Sequence, residues 1–259
     1  MSQTSGIQIE VLGQKDALEI PLPYITAFTS HPWHEEFECG SCNTGPYFLG
    51  CAENMIKIGN ARWHEDTSRF NCQQTLTKKV FPLNLDGKQE CINCGEDLSE
   101  SLIPIFTPKG VQEEYIRETK EKDFLGIGVR KFGKLISFIW GFAYPIKGKT
   151  SKAGGGTKYG VNGAQLLRRN IDLTRTFYHT EAVTVPEAKG LGLGTTLIGN
   201  MIEKMTFSYD TLVFRTIHPA IVRCYEKALG LEKGVLQPAF SDQDPTKRQK
   251  WYIIPLKRT

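Results

Sequence analysis

The chain has 259 residues, 40% of them hydrophobic and 23% charged, which is enough apolar material for a packed core and excludes wholesale disorder. At about 150 residues per domain, that length makes between one and two domains. The longest apolar run, Leu135 to Ile146, is too short to cross a bilayer and reads as a strand. Met1 to Leu12 lack the basic start and apolar stretch of a secretory signal, so the expected location is cytoplasmic and no membrane partner is expected.

The net charge of +4 hides a division. Residues 1–104 carry 7 Lys and Arg against 14 Asp and Glu, whereas residues 105–259 carry 25 against 14. Six of the seven cysteines also precede residue 100. Two independent signals thus break near one point. The expected organisation is an acidic, Cys-rich domain over 1–104 and an α/β domain over 105–259, whose first strand begins near 102.

In the N-terminal half, Cys39-Gly-Ser-Cys42 and Cys91-Ile-Asn-Cys94 form two C-x-x-C knuckles with 48 residues between them. A structural zinc ion needs four ligands in a tetrahedron, and each knuckle supplies two thiolates from one tight turn. The interval exceeds the usual 15–20 residues, so the spacing requires an insertion. Buried free cysteines or a redox pair are the alternatives. A disulfide framework is not expected where thiols stay reduced. The pattern resembles a zinc ribbon over roughly residues 35–98. Cys51, His64 and Cys72, with His31 or His34, match no second ligand template. A net charge of −7 on this half, made more negative by a four-thiolate zinc site, argues against nucleic acid, whose phosphates call for Lys and Arg. Structural or protein-docking roles remain, and Trp33, Phe37, Tyr47, Phe48 and Trp63 are expected to pack a small core.

In the C-terminal half, Leu102–Phe106 reads as a strand and Val111–Lys122 as a charged segment with helical spacing. Phe124–Val129 and Leu135–Ala143 read as strands around a hairpin turn at Lys131-Phe132-Gly133-Lys134. Lys147–Gly163, rich in Gly and Lys, is expected to be a loop, by default a disordered and solvated one, and Ala164–Asn170 a short helix. Phe177–Val185 is a strand, Thr195–Met205 a helix and Thr211–Thr216 a strand. Pro219–Leu229 is a helix with Pro at its start and Gly230 at its stop. Gly234–Phe240 and Lys250–Leu256 complete a mixed α/β domain as strands.

The chemistry concentrates in Val183-Thr-Val185-Pro-Glu-Ala-Lys189-Gly190-Leu191-Gly192-Leu193-Gly194-Thr195. A strand runs into a glycine-rich turn that opens a helix, which aims backbone N–H groups and the positive end of a helix dipole at one place, as a pyrophosphate requires. A Rossmann site would need Gly-x-Gly-x-x-Gly and an acidic residue about 20 positions on. The glycines here are spaced otherwise, and the next strand offers Arg215. Gly148-Lys149-Thr150 echoes a P-loop, but Ala143 stands where its first glycine should be.

At Lys189-Gly-Leu-Gly192-Leu-Gly194 the chain resembles the GNAT superfamily of acyl-CoA-dependent N-acetyltransferases, whose pyrophosphate motif is Arg/Gln-x-x-Gly-x-Gly/Ala. Lys189 takes the first place. A second family element, Asn-x-x-Ala-x-x-x-Tyr-x-Lys-x-Gly-Phe, corresponds to His218 through Leu231, with His218 for the asparagine and Leu231 for the phenylalanine. The resemblance covers roughly residues 102–259 and implies a GNAT-like mixed sheet with flanking helices. It implies direct attack of an amine on an acyl-CoA thioester, normally acetyl-CoA, in a ternary complex. The backbone of Val183 and Val185 would pair with pantetheine, and the turn Lys189 to Thr195 would hold the pyrophosphate. Tyr225 falls where the family places the acid that protonates the departing thiolate. His179 and Glu181, two apart on one strand, are expected to share a face and supply the base. Cys224 has no local base and reads as filler. The amine acceptor, whether small molecule, peptide or protein, does not follow from the sequence. The alternatives are a non-catalytic CoA-binding scaffold and an acyltransferase acting on an RNA-borne amine.

Overall fold

A computed structural model describes residues 6–29, 37–43, 48–50, 55–58, 62–65, 81–83, 90–91, 93–97, 101–145, 160–216, 218–241 and 250–256. His31, Trp33, His34, Tyr47, Cys51, Cys72 and residues 147–159 of the expected loop lie outside them, as do the side chains of Phe37, Phe48, Trp63 and His64, whereas Gly160–Gly163 open a helix instead of closing that loop. In chain order the elements are β1 (Ile7–Leu12), α1 (Pro21–Phe28), β2 (Phe37–Cys39), β3 (Phe48–Gly50), β4 (Met55–Ile58), β5 (Arg62–Glu65), β6 (Phe81–Leu83), β7 (Leu102–Pro104), α2 (Pro108–Glu118), β8 (Leu125–Lys131), β9 (Lys134–Ala143), α3 (Gly160–Leu167), β10 (Thr176–Thr184), α4 (Leu193–Met205), β11 (Thr211–Thr216), α5 (Pro219–Ala228), β12 (Phe240–Ser241) and β13 (Lys250–Pro255).

The fold is mixed α/β around a seven-stranded sheet in the order β1-β8-β9-β10-β11-β13-β12. All neighbours in it are antiparallel except β10 and β11. The hairpin between β8 and β9 turns on Phe132 (φ 51°) and Gly133 (φ 78°), the paired positive φ angles that match the twist of two-residue hairpins. The parallel pair needs a crossover, and α4 supplies it. Leu193, Leu197, Ile198, Met201 and Met205 form one buried stripe of α4, at the spacing that faces a sheet. That stripe packs on Ile127, Val129, Ile139, Phe177, Leu212 and Phe214. The opposite face buries Phe142, Tyr144, Tyr178, Val213 and Trp251 with Leu166 of α3. Among the described residues, no helix is long and apolar enough to cross a membrane.

The division into compact units differs from the break at 104. Residues 24–111 form one unit, and residues 1–23 with 112–259 form the other. Every residue of β1 pairs with β8, from Ile7 opposite Lys131 to Leu12 opposite Gly126. The half-buried Arg130 then binds Glu10, Glu19 and Asp16, the last at 3.2 Å. Charges widely separated in sequence thus meet across two strands, which composition by halves does not register. Leu102–Pro104 does not open the large sheet: it pairs with β2 in the 24–111 unit. There α1 contributes Tyr24 and Phe28, which meet the Phe106 ring at centroid distances of 5.3 and 5.6 Å. The expected strand at Gly234–Phe240 shortens to Phe240–Ser241. The buried Glu226 carboxylate accepts the Gly234 N–H at 2.6 Å and the Leu236 N–H at 3.3 Å, which ties that segment to α5 instead of to a ladder.

Gly141 marks the tightest strand approach near the site. A Cβ there would meet the Tyr178 carbonyl oxygen at 2.3 Å and the His179 Cα at 2.9 Å. Both are backbone atoms, so β9 and β10 must move apart. Gly141→Ala should therefore lower stability by about 1–3 kcal/mol, the usual cost of overpacking, read as a fall in the urea midpoint at unchanged slope.

Candidate functional site

The parallel pairing of β10 with β11 runs from Thr176 opposite Thr211 to His179 opposite Phe214 and then stops, although β10 continues to Thr184 and β11 to Thr216. Beyond His179 the two strands part, and among the described residues no strand pairs with the β11-facing edge of β10. Backbone groups on such an edge are ready to pair with an extended ligand.

Which groups face that edge follows from the β9 ladder. The Val185 N–H donates to the Ile136 carbonyl at 3.0 Å. Alternation along an antiparallel pair then turns the N–H and C=O of Val183 toward Phe138 as well. The Val183 carbonyl also accepts the Ser137 hydroxyl at 2.8 Å. Val183 and Val185 therefore spend their backbone on β9, and Ala182 and Thr184 are the residues turned the other way. Strand position is legible in a sequence, whereas the parity of its hydrogen bonds requires the partner.

Gly190 and Gly192 both adopt left-handed backbone, at φ 82° and 77°, conformations that glycine reaches without steric cost. Gly192 is the N-cap of α4 and offers no side-chain cap. The Thr196 N–H reaches the Gly192 carbonyl at 3.1 Å, so the amides of Leu193, Gly194 and Thr195 precede the first intrahelical donor and point out of the helix start. Leu191 is exposed, and desolvation lowers the Lys189 ammonium from its ordinary value. Gly194 serves packing: a Cβ there would come within 3.2 Å of the Cys224 sulfur on α5. Cys224 thus fills the α4–α5 contact. The arrangement places outward-pointing amides at a helix start directly after that strand edge, a geometry suited to an anion.

Tyr225 sits at the point where the strands part. Its ring stacks on Phe214 at 4.0 Å, and its hydroxyl lies 2.5 Å from His179 Nδ1. Phe214 and His179 are the last matched pair of the two strands. The other imidazole nitrogen, Nε2, is 2.8 Å from the Glu181 carbonyl. A carbonyl only accepts, so Nε2 carries the proton and Nδ1 is bare, and the Tyr225 O–H must donate to it. Burial draws His179 down to about 4, which keeps the imidazole neutral, and raises the Tyr225 phenol well above its ordinary value.

His179 and Glu181 do not share a face. The register with β9 slips between them, with His179 opposite Gly141 but Glu181 opposite Trp140. Thr180 is the extra residue of a β-bulge, and a bulge inverts the alternation that sequence spacing assumes. His179 consequently faces α5, while Glu181 lies on the side of Trp140, whose indole N–H donates to Glu118 at 2.6 Å. Sequence reasoning missed Phe214, Ala182 and Thr184; no local signal marks any of the three.

The cysteines form a separate cluster. The four sulfurs of Cys39, Cys42, Cys91 and Cys94 all lie within 4.8 Å of one another, with Cys39 to Cys94 at 3.7 Å and Cys42 to Cys91 at 3.5 Å. Tetrahedral Zn–S bonds place sulfurs about 3.8 Å apart, whereas a disulfide requires about 2.05 Å. The two knuckles have the same build. The Asn43 N–H donates to the Cys39 carbonyl at 2.7 Å and the Gly95 N–H to the Cys91 carbonyl at 2.9 Å. Asn43 and Gly95 both take positive φ, 55° and 74°. The Asn93 amide is directed at the Cys91 sulfur, 3.5 Å away, as suits a thiolate. The donor set fits a zinc ion.

No family model and no curated protein matches the chain. Among solved structures, an acetyltransferase of the GNAT family from Streptococcus pneumoniae is similar at a TM-score of 0.44 and 10% identity, over 97% of this chain and 99% of that one. A Salmonella typhimurium protein assigned as an acetyltransferase, solved with its cofactor acetyl-CoA, is similar at 0.45 and 10%, over 98% and 96%.

Proposed function

We propose that the chain is an acyl-CoA-dependent N-acyltransferase, with acetyl-CoA as the expected co-substrate and an amine as acceptor. The observation that carries this reading is the junction of an unpaired strand edge with a left-handed glycine turn at a helix start. An acyl-CoA is an extended amide chain ending in a pyrophosphate, and the junction offers a ladder edge for the first and outward amides for the second. The excess of basic residues over 105–259 suits the phosphates.

In this reading, Ala182 and Thr184 pair with pantetheine, and the amides from Gly190 to Thr195 hold the pyrophosphate beside Lys189. The amine attacks the thioester carbonyl carbon, the C–S bond breaks, and the thiolate takes a proton from Tyr225. A zinc ion held by Cys39, Cys42, Cys91 and Cys94 would brace the 24–111 unit and take no part in the chemistry. A thiolate site of this kind suits the reducing cytoplasm. The competing reading is a non-catalytic acyl-CoA-binding scaffold, favoured by the complete burial of Tyr225.

Tyr225→Phe decides between them. The variant should retain the fold and acetyl-CoA affinity while turnover falls roughly 10²- to 10⁴-fold, the usual share of acid–base catalysis. Transfer from acetyl-CoA to small amines, peptides and aminoacyl-RNA is the measurement. Wild-type turnover in the variant removes Tyr225 from the mechanism. A wild-type protein that binds acetyl-CoA yet acylates none of these acceptors is the scaffold.

A further inference from the structure

We propose that His179 and Tyr225 act as one proton relay, which takes the proton from the attacking amine and returns the same equivalent to the leaving thiolate. The proposal rests on the acyltransferase reading and supplies the base that reading lacks. Tyr225 is the catalytic residue, since its hydroxyl meets the reacting atoms; His179 acts only through it.

The phenol has one proton, and His179 Nδ1 already holds it at 2.5 Å. Toward a ligand in the strand gap, Tyr225 therefore presents an oxygen lone pair. That orientation is suited to accepting a proton before giving one. As a neutral amine forms its bond to the thioester carbon, an amine proton passes to the Tyr225 oxygen. The Tyr225 proton moves in concert to Nδ1, leaving an imidazolium and an uncharged phenol. When the C–S bond breaks, the electron pair stays on sulfur. The thiolate then takes the phenol proton, and Nδ1 restores it. Protons and charge balance: the amine loses one proton, CoA gains one, and both side chains return to their starting forms.

The surroundings support both halves of this cycle. The Glu181 carbonyl, held at 2.8 Å from Nε2 by the bulge, keeps Nδ1 bare at rest and still pairs with Nε2–H when the ring is charged. The imidazole meets the Tyr225 hydroxyl from α5, and the His179 backbone lies opposite Gly141 on β9 and Phe214 on β11. The site lacks the means to hold an imidazolium for long, since burial favours the neutral ring. A thiolate with an ordinary pKa of about 8.5 therefore recovers the proton readily. Glu181 cannot substitute, because it faces the other side of the sheet.

The test is His179→Asn, which keeps an acceptor oxygen near the place of Nδ1 but cannot carry a proton. With acetyl-CoA and butylamine, spermidine and an alanyl peptide as acceptors, kcat should fall about 10²-fold at unchanged KM for acetyl-CoA. The double variant that combines His179→Asn with Tyr225→Phe should be no slower than Tyr225→Phe alone, as expected of groups working as a unit. A role confined to orienting the phenol predicts near wild-type kcat for His179→Asn, and that result overturns the relay. Nitrogen-15 NMR of the wild-type protein provides an arm that needs no acceptor and no folded variant. His179 should show a protonated Nε2 and a hydrogen-bonded bare Nδ1; a protonated Nδ1 overturns the relay as well. Failure of the wild type to acylate any of the three amines overturns the acyltransferase reading itself, an outcome distinct from an active wild type with an equally active His179→Asn variant.

Discussion

Gly192→Val should abolish measurable acyl-CoA binding in a chain that still folds. Two costs coincide at this position. Gly192 sits at φ 77°, where an L-residue pays about 1–2 kcal/mol. An isopropyl group would also stand at the mouth of the turn, where a Cβ has nothing within 4 Å. That open space is what a phosphate would use. Loss of close approach to the amides of Leu193, Gly194 and Thr195 should weaken binding at least 100-fold, or about 2.7 kcal/mol, by calorimetry with acetyl-CoA. Gly133→Val is the matched control, since its φ of 78° carries the same backbone strain in a hairpin that also has open space. Equal loss of affinity in both variants would attribute the effect to strain. Unchanged affinity in Gly192→Val would leave the turn with a purely structural role.

Removal of the metal is expected to have the larger effect on stability. One zinc per chain should be found, and changing either Cys39 and Cys42 or Cys91 and Cys94 to Ser should lose it. Each pair supplies half of a tetrahedron, and two thiolates do not hold zinc as four do. Structural zinc contributes an apparent 10–16 kcal/mol of binding free energy at pH 7 in small domains, which serves as folding free energy. A strong chelator should therefore expose the 24–111 unit to proteolysis in the full chain. Metal analysis of the purified variants is the direct measurement. Stoichiometric zinc surviving in both pair variants would overturn the ligand set.

What the sequence determined by itself was local. Gly190 and Gly192 announce their turn because only glycine takes a left-handed conformation cheaply. The knuckles at Cys39–Cys42 and Cys91–Cys94 are legible because both ligands of each lie in one tight turn. The helices α2, α4 and α5 and most strands of the large sheet follow from apolar periodicity and from Pro219 and Gly230. The tertiary structure decided whatever depends on a partner distant in the chain. β1 joins β8 more than a hundred residues away, so charge summed over halves placed the boundary at 104 instead of around the 24–111 unit. β7 turned to β2, since three residues of strand carry no record of which edge they will find. The bulge at Thr180 set Glu181 and His179 on opposite faces, because an inserted residue is defined only against the opposing strand. The parity that frees Ala182 and Thr184 instead of Val183 and Val185 likewise exists only once β9 is in register. The His179–Tyr225 hydrogen bond joins residues 46 positions apart, brought together when α5 packs across the end of the parallel pair.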